Sequence, residues 1–378
     1  MLSFWESDSF LHYDTLIIGS GIVGLSAAIS LKEIAPNRSV LVLERGILPS
    51  GASTRNAGFA CFGLLTEMRS DLKKNGPGPT LTVVEKRIQG LARLRERLGD
   101  QAMDYRHVGG YELIFDQELP ALEYLTQVND LLRGLYPAVV YAERLDLLKS
   151  FGFNRERICS LVHNPHEGHL HSGKLMQSLL RLAGQKGVEI RTDAEVVTIE
   201  DGDASVRVEV KEPTRGLLSF RAEMVAVCTN AFTHTLLPGV GISPSRGQVI
   251  LTGPVAELPF EGTFHFDEGY YYFRNLGQRI LFGGGRNLAF EAETSTQFQT
   301  NDQILTTLER LLREIILPGL PVEIEQHWSG IIGFSEDKQP IVKKLSPRLV
   351  IGFAYNGMGV SLASTIGDEI AQLMNNDE

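Results

Sequence analysis

The sequence predicts an α/β protein: a helix-covered parallel sheet assembled from separated stretches of chain, joined to a second, mixed and largely antiparallel α+β domain. Three observations predict it. Residues Thr15 to Ala28 read as a buried strand, a glycine turn and a helix. Two later apolar runs, Met224–Ala231 and Leu349–Val360, again end in small or glycine-rich turns. Between those runs, residues 245–326 change to aromatic-rich segments with the alternation of antiparallel strands.

The first element is the most informative. Leu16-Ile17-Ile18 suits a strand covered on both faces, and Gly19-Ser20-Gly21-Ile22-Val23-Gly24 follows without a gap. Gly19 permits the tight turn, Gly21 lets backbone approach a pyrophosphate, and Gly24 lets the helix pack on the strand. The helix that opens at Ile22 and Val23 directs free N–H groups and its positive dipole end at the phosphates. A second strand, Val40–Leu43, ends at Glu44, roughly 20 residues past the last glycine, where an acid can accept both ribose hydroxyls. Strand, turn, helix and acid together predict a dinucleotide site, which the glycines alone would not.

The 378 residues are comfortable for two domains, each with its own core. A composition of 43% hydrophobic and 22% charged residues fits a folded globular protein, and the net charge of −10 argues against a general nucleic-acid binder. Cys61, Cys159 and Cys228 lie far apart with no zinc-type spacing, as expected of reduced thiols. Residues 1–14 lack a basic start and an apolar core, and no apolar run approaches the ~20 residues of a membrane span, so a cytoplasmic protein is expected.

After Glu44, the run Arg45 to Phe59 is dominated by small and hydroxyl residues, with Arg55 and Asn56 among them. It suits a segment lying flat against a planar polar ligand, and equally a solvent loop rich in turn formers. Val84–Leu98 is amphipathic and stops at Gly99, as a helix does. Residues 105–116 then read as a strand and 118–134 as a helix, without any dinucleotide signal. His163, His166, His169 and His171 invite a metal reading, but their spacing does not place ligands on one helix face; a polar loop leading into a helix over 172–186 is predicted, and no metal site. Residues 187–190 and 195–199 continue as strands, and 205–222 as a meander. In the aromatic block, Tyr270, Tyr272 and Arg274 share one face of a strand, and a helix is predicted from Ile304 to Ile315. The tail closes with the strand Leu349–Phe353, a glycine turn and a helix from Ser361 to Leu373. That helix start is a second anion site. Reduced flavin is anionic at its far end and nicotinamide is not, so the pair of sites points to FAD rather than NAD.

The succession GSGIVG, GASTRNAGF, HLHSGKL, SRGQ, YYYFR, HWSGIIGFSEDKQP and GFAYNGMGV resembles the FAD-dependent D-amino acid oxidase superfamily, in the branch of glycine oxidase, sarcosine oxidase and the γ-glutamylputrescine oxidases. The resemblance covers nearly the whole chain. It implies a discontinuous Rossmann-like FAD-binding domain over 1–85, 159–241 and 327–378, and a substrate domain over 86–158 and 242–326. It implies oxidation of an amine or amino acid by hydride transfer to flavin N5, giving an imine that water hydrolyses. By position, Gly19, Gly21, Ile22, Val23 and Gly24 would hold the pyrophosphate and Glu44 the ribose. Arg45, Ser53, Thr54, Arg55, Asn56 and Gly58 would line the pyrophosphate and flavin ring. Val196 would meet adenine; Thr229, Asn230 and Ala231 form the turn beside the cofactor, with Gly330 near it; and Gly357, Met358, Gly359 and Val360 would face flavin O2. Tyr270, Tyr272, Arg274 and His327 are the candidate substrate residues.

Three departures from the family pattern bear on chemistry. Ile331-Ile332 stands where glycine-oxidase-like members carry an arginine that clamps the substrate carboxylate. Phe282 replaces the oxygen-activating lysine of sarcosine oxidases, and no lysine occurs from Glu212 to Asp337, which favours an acceptor other than oxygen. No cysteine stands at the covalent flavin position, so dissociable FAD is expected. Two alternatives stay open: a flavin dehydrogenase of a 2-hydroxy acid, and a flavin-binding subunit with no chemistry of its own. The partners expected are a small-molecule substrate, with no nucleic acid; the oligomeric state is not readable.

Overall fold

The computed structural model describes residues 1–337, 339–353 and 355–375. Its first sheet runs in the order 341–344, 349–353, 216–227, 12–18, 40–43, 188–191. The strand His12–Ile18 sits in the middle and pairs parallel with both Val40–Leu43 and Gly216–Val227; the latter pairs parallel with Leu349–Phe353. Leu16, Ile17 and Val40 through Leu43 are all buried, as their unbroken apolar runs require.

Four helices cover one face: Ile22–Ile34, Pro77–Leu98, Ser172–Gln185 and Gly359–Asn375. The tail helix returns against the first one so closely that a Cβ on Gly367 would lie 2.6 Å from the Ser26 Cβ. Arg97, with a side chain only 3% exposed, pairs with Glu33 at 2.8 Å and Asp368 at 2.7 Å, so one guanidinium ties three of these helices together. The other face is covered by the antiparallel ladder of Val196–Asp201, Val206–Glu212 and the first half of Gly216–Val227.

The second sheet runs 324–334, 243–252, 279–284, 271–276, 263–266, 110–115, 158–164, 142–143, antiparallel except where 263–266 meets 110–115. Its core is aromatic, with Phe264 and Phe273 stacked at 4.6 Å and Phe282 buried beside them. Arg246 and Glu293, both buried, form a bidentate pair at 2.8 Å for each bond, and Glu293 also accepts from Gln248 at 2.9 Å. Burial raises the Glu293 carboxyl, but the hydrogen bonds from Arg246 and Gln248 and the Arg246 charge bring it below the usual range.

Several expectations shift against these ladders. Strands Ile158–Asn164 and Ile324–Phe334 belong to the antiparallel sheet, so the divisions expected at 159 and 327 move past those strands, because their backbone groups pair there. Met224–Val227 is the end of one long strand from Gly216, antiparallel to its neighbour first and parallel to His12–Ile18 afterwards. Residues 116–124 form a 3₁₀ segment before the helix Leu125–Leu132, since Pro120 supplies no N–H for an α-helical bond. The helix predicted from Val84 begins at Pro77, and Ile304–Ile315 divides into the helix Asp302–Leu311 and a π turn, Leu312–Ile316. A short helix, Phe4–Phe10, capped by Ser3 and Glu6, precedes the first strand.

The four histidines take separate posts. His163 stacks on Tyr111 and His166 on Tyr136; His169 is buried beside Arg274; His171 caps the helix Ser172–Gln185.

Candidate active site

Where the two sheets meet, a cavity of about 470 Å³ extends from the first glycine turn to the aromatic face of the antiparallel sheet. Its nucleotide end is lined by Gly19, Gly21, Ile22, Val23, Glu44, Arg45, Val196, Thr229, Asn230 and Ala231. Ser53, Arg55, Asn56, Gly58 and Gly330 line its middle, and Gly357, Met358, Gly359 and Val360 bring the start of the tail helix to it.

Local chemistry explains this convergence. Gly19 has φ +104°, and a Cβ on Gly24 would lie 2.0 Å from the Gly19 carbonyl oxygen, so the turn and the helix contact both exclude a side chain. Gly21 is the helix N-cap and offers no side-chain acceptor; the Ile22 amide donates instead to Ser53 Oγ at 2.9 Å. Glu44 is buried and oriented by the Ser20 amide (3.1 Å) and hydroxyl (2.9 Å) and by the Gly46 amide (3.1 Å). Asn56 braces the 52–58 turn, donating to Ser53 O at 2.8 Å and accepting from the Gly58 amide at 2.8 Å. Arg55 donates to Ser329 O at 3.0 Å while Trp328 Nε1 donates to Arg55 O at 2.9 Å, which clasps that turn to the strand Ile324–Phe334.

Four candidates lie elsewhere. Gly24 sits behind the turn as a packing residue. Thr54 is exposed and donates to Pro49 O at 2.7 Å, which shapes its own turn. Arg274, read from the sequence as a substrate contact, is 3% exposed and outside the cavity lining; it donates to the carbonyls of Ala57, Leu170 (3.1 Å) and Asn275 (2.9 Å) and meets His169. Alternation along the strand gave its face, but the guanidinium reaches past the cavity to the backbone at Ala57 and Leu170. Burial pulls it down to about 10. His327 lies exposed on the strand Ile324–Phe334 and does not face the cavity. The substrate roles of Arg274 and His327 are corrected accordingly.

Tyr270 and Tyr272 do line the cavity, Tyr270 from the turn just before the strand Tyr271–Leu276. With them stand Ile332, noted in the sequence as the replacement of the family arginine, and four residues not assigned from the sequence: Phe59, His265, Arg286 and Phe334. Phe59 packs edge-on against His265 (4.7 Å) and Tyr272 (5.6 Å). Burial raises the Tyr272 hydroxyl to about 12 and lowers His265 to about 4, so a phenol and a neutral imidazole face the cavity. His265 Nδ1 has no hydrogen-bond partner. Arg286 follows Gly283-Gly284-Gly285 at the end of a strand, and a charge after a glycine run was the signal available.

The residues present fit FAD. A glycine turn leads into a helix start whose cap residue, Gly21, supplies no side-chain acceptor, an oriented buried carboxylate stands at the ribose position, and a second helix start opens on the same cavity further along.

The comparisons with known proteins agree. A probable oxidoreductase, OrdL, of Haemophilus influenzae is 22% identical over 97% of this chain and 84% of the relative. The crystal structure of glycine oxidase from Geobacillus kaustophilus matches 97% of this chain and 96% of that one at TM-score 0.77 and 20% identity. That of L-proline dehydrogenase from P. horikoshii covers 97% and 94%, also at TM-score 0.77, with 15% identity. Among the described residues no helix is long and apolar enough to cross a membrane. The family model for FAD dependent oxidoreductases matches residues 14–373, and the chain belongs to that family, DAO.

Proposed function

We propose that this oxidoreductase breaks the C–H bond beside the nitrogen of a small amine or amino acid and passes the hydride to non-covalently bound FAD. The amine becomes an imine, which water hydrolyses to a carbonyl compound and the free amine or ammonia. The observation that carries the reading is the continuity of the cavity from the nucleotide turn to the aromatic chamber around Tyr270 and Tyr272. Bound FAD supplies the two-electron acceptor.

The chain's own residues position and enclose the substrate. Phe59, Ile332 and Phe334 wall the chamber with apolar surface and exclude water. Tyr272 keeps its proton at working pH, so it donates a hydrogen bond and does not act as a base. His265 stays neutral behind Phe59 and adds no charge to the chamber. Such a chamber selects an amine in its neutral form and holds its C–H toward the acceptor, which is catalysis by placement. Two cysteines, Cys61 and Cys228, line the cavity, but burial pushes Cys228 up to about 12 and Cys61 well above the usual thiol value. Neither presents a thiolate for a flavin link.

The test is an anaerobic panel of amines, amino acids and 2-hydroxy acids added to FAD-loaded protein. Bleaching of the flavin band by an amine or amino acid is expected. Failure to take up FAD, or bleaching by 2-hydroxy acids alone, would overturn the reading.

A further inference from the structure

We infer that Arg286 is the substrate's anion-binding residue, so that the amine oxidised here carries a carboxylate. The inference rests on the reading of the cavity as a flavin amine-oxidising site and narrows its substrate class. It places the clamp on the turn after the strand Arg279–Gly284, whereas the place expected from the family pattern is taken by Ile331 and Ile332.

The other arginines around the cavity are already engaged. Arg87 pairs with Glu67 at 3.0 Å and donates to Phe62 O at 2.9 Å. Arg55 donates to Ser329 O and lies 4.3 Å from the Phe298 ring centre. Arg45 stacks 3.8 Å over Phe232 at the nucleotide end. On the adjacent strand, Arg246 is neutralised by Glu293.

Arg286 has a different setting. Three rings surround its guanidinium, with Phe334 centred at 4.1 Å, Tyr270 at 5.4 Å and Phe290 at 5.5 Å. Its hydrogen-bond contact is Ser245 Oγ at 3.5 Å, the limit of such a bond, and it has no carboxylate partner among the described residues. A cation screened from water by rings and lacking a counter-ion is costly unless an anion arrives. Burial pulls its pKa below the usual guanidinium value, as that setting requires.

The rings cover the guanidinium without taking up its N–H donors, which stay available to the two oxygens of a carboxylate. Tyr272, protonated and on the same cavity wall, is a second donor. A simple diamine would bring a second positive charge into this chamber; an amino acid or an N-substituted amino acid brings the missing negative one.

Acetate, benzoate and their uncharged amides, titrated into FAD-loaded protein, test this without turnover, through the shift of the flavin spectrum on binding. The wild type is expected to bind the carboxylates and not the amides. Arg286→Met should weaken carboxylate binding by roughly 10-fold or more, and Arg286→Lys by less, because the charge stays while the planar fork is lost. Retained FAD content and an unchanged Tm identify both variants as folded. In turnover, Arg286→Met should raise KM for a carboxylate-bearing amine far more than for the same amine without it. Equal binding of benzoate and benzamide, or an unchanged benzoate affinity in a folded Arg286→Met protein, overturns the inference and leaves the amine reading standing. Carboxylate binding that depends on Arg286, with no amine bleaching the flavin, keeps Arg286 as an anion site and overturns the amine reading, and with it the amine part of the inference.

Discussion

The two ends of the cavity are made of different material. At the nucleotide end the surface offered to a ligand is largely backbone: the turn Gly19–Gly24 and the first turn of the helix Ile22–Ile34, with the start of the helix Gly359–Asn375 continuing it further along. At the far end it is side chains, brought together from the turn at Tyr270, the strand position Tyr272, the post-strand turn at Arg286 and the strand end at Phe334. The backbone end is fixed by local spacing. The side-chain end is fixed by how four pieces of chain happen to converge, and it is where relatives of one fold can differ in substrate.

Substitutions at the two ends should therefore fail differently. The largest effect is expected at the backbone end. Gly24→Val puts a side chain where even a Cβ lies 2.0 Å from the Gly19 carbonyl oxygen, so the helix must move off the strand. FAD affinity should fall roughly 1,000-fold or more, about 4 kcal/mol. Flavin content of the purified variant measures this, with circular dichroism as the check on folding.

Arg274→Met breaks the joint between the two ends. Three carbonyls, of Ala57, Leu170 and Asn275, lose their charged donor, and a stability loss on the order of 3 kcal/mol should appear in urea unfolding. The KM should change little, which separates this bracing role from substrate contact.

Two buried acids, Glu112 and Glu167, give a pH signature. Burial raises Glu112 and Glu167 to about 8, while they accept hydrogen bonds from the amides of Leu65 and Phe62. With a folded pKa above the unfolded one, their contribution is complete below the ordinary carboxylate range and is lost as pH rises through about 8. Glu167→Gln removes one of these protons from the balance. Its stability curve should flatten in that window by up to about 1.4 kcal/mol per pH unit, read from denaturation midpoints at several pH values.

The smallest effect belongs to Glu44→Gln, which keeps one acceptor at the ribose position. FAD should bind roughly 5- to 10-fold more weakly, as measured by fluorescence quenching.

The same contrast explains what could be read from the sequence. The parallel strands were legible because full burial needs unbroken apolar runs, and the nucleotide turn because glycine spacing carries its own steric reason. Tyr270 and Tyr272 were legible as a face. Arg274 and His327 were misread because alternation gives a side, not a reach: Arg274's long side chain ends on the backbone at Ala57 and Leu170, and His327 stands on a stretch of strand beyond the cavity. Arg286 was passed over because its setting comes from Phe334 and Phe290, distant or unremarkable in sequence, and only packing puts them around it. The antiparallel membership of Ile158–Asn164 was likewise invisible, since an apolar strand does not name its partner.

The central claim is that glycine turns from the two ends of the chain hold opposite halves of one FAD. Calorimetric titration of the cofactor-free protein with FAD and with ADP tests it, comparing wild type with Gly359→Pro, which suits a first helical position but removes one N–H from the cavity wall. The account predicts that FAD binds the wild type at least roughly 10-fold more tightly than ADP, and that Gly359→Pro weakens FAD while leaving ADP unchanged. Equal affinities in the wild type, or the same loss for both ligands in the variant, would contradict it.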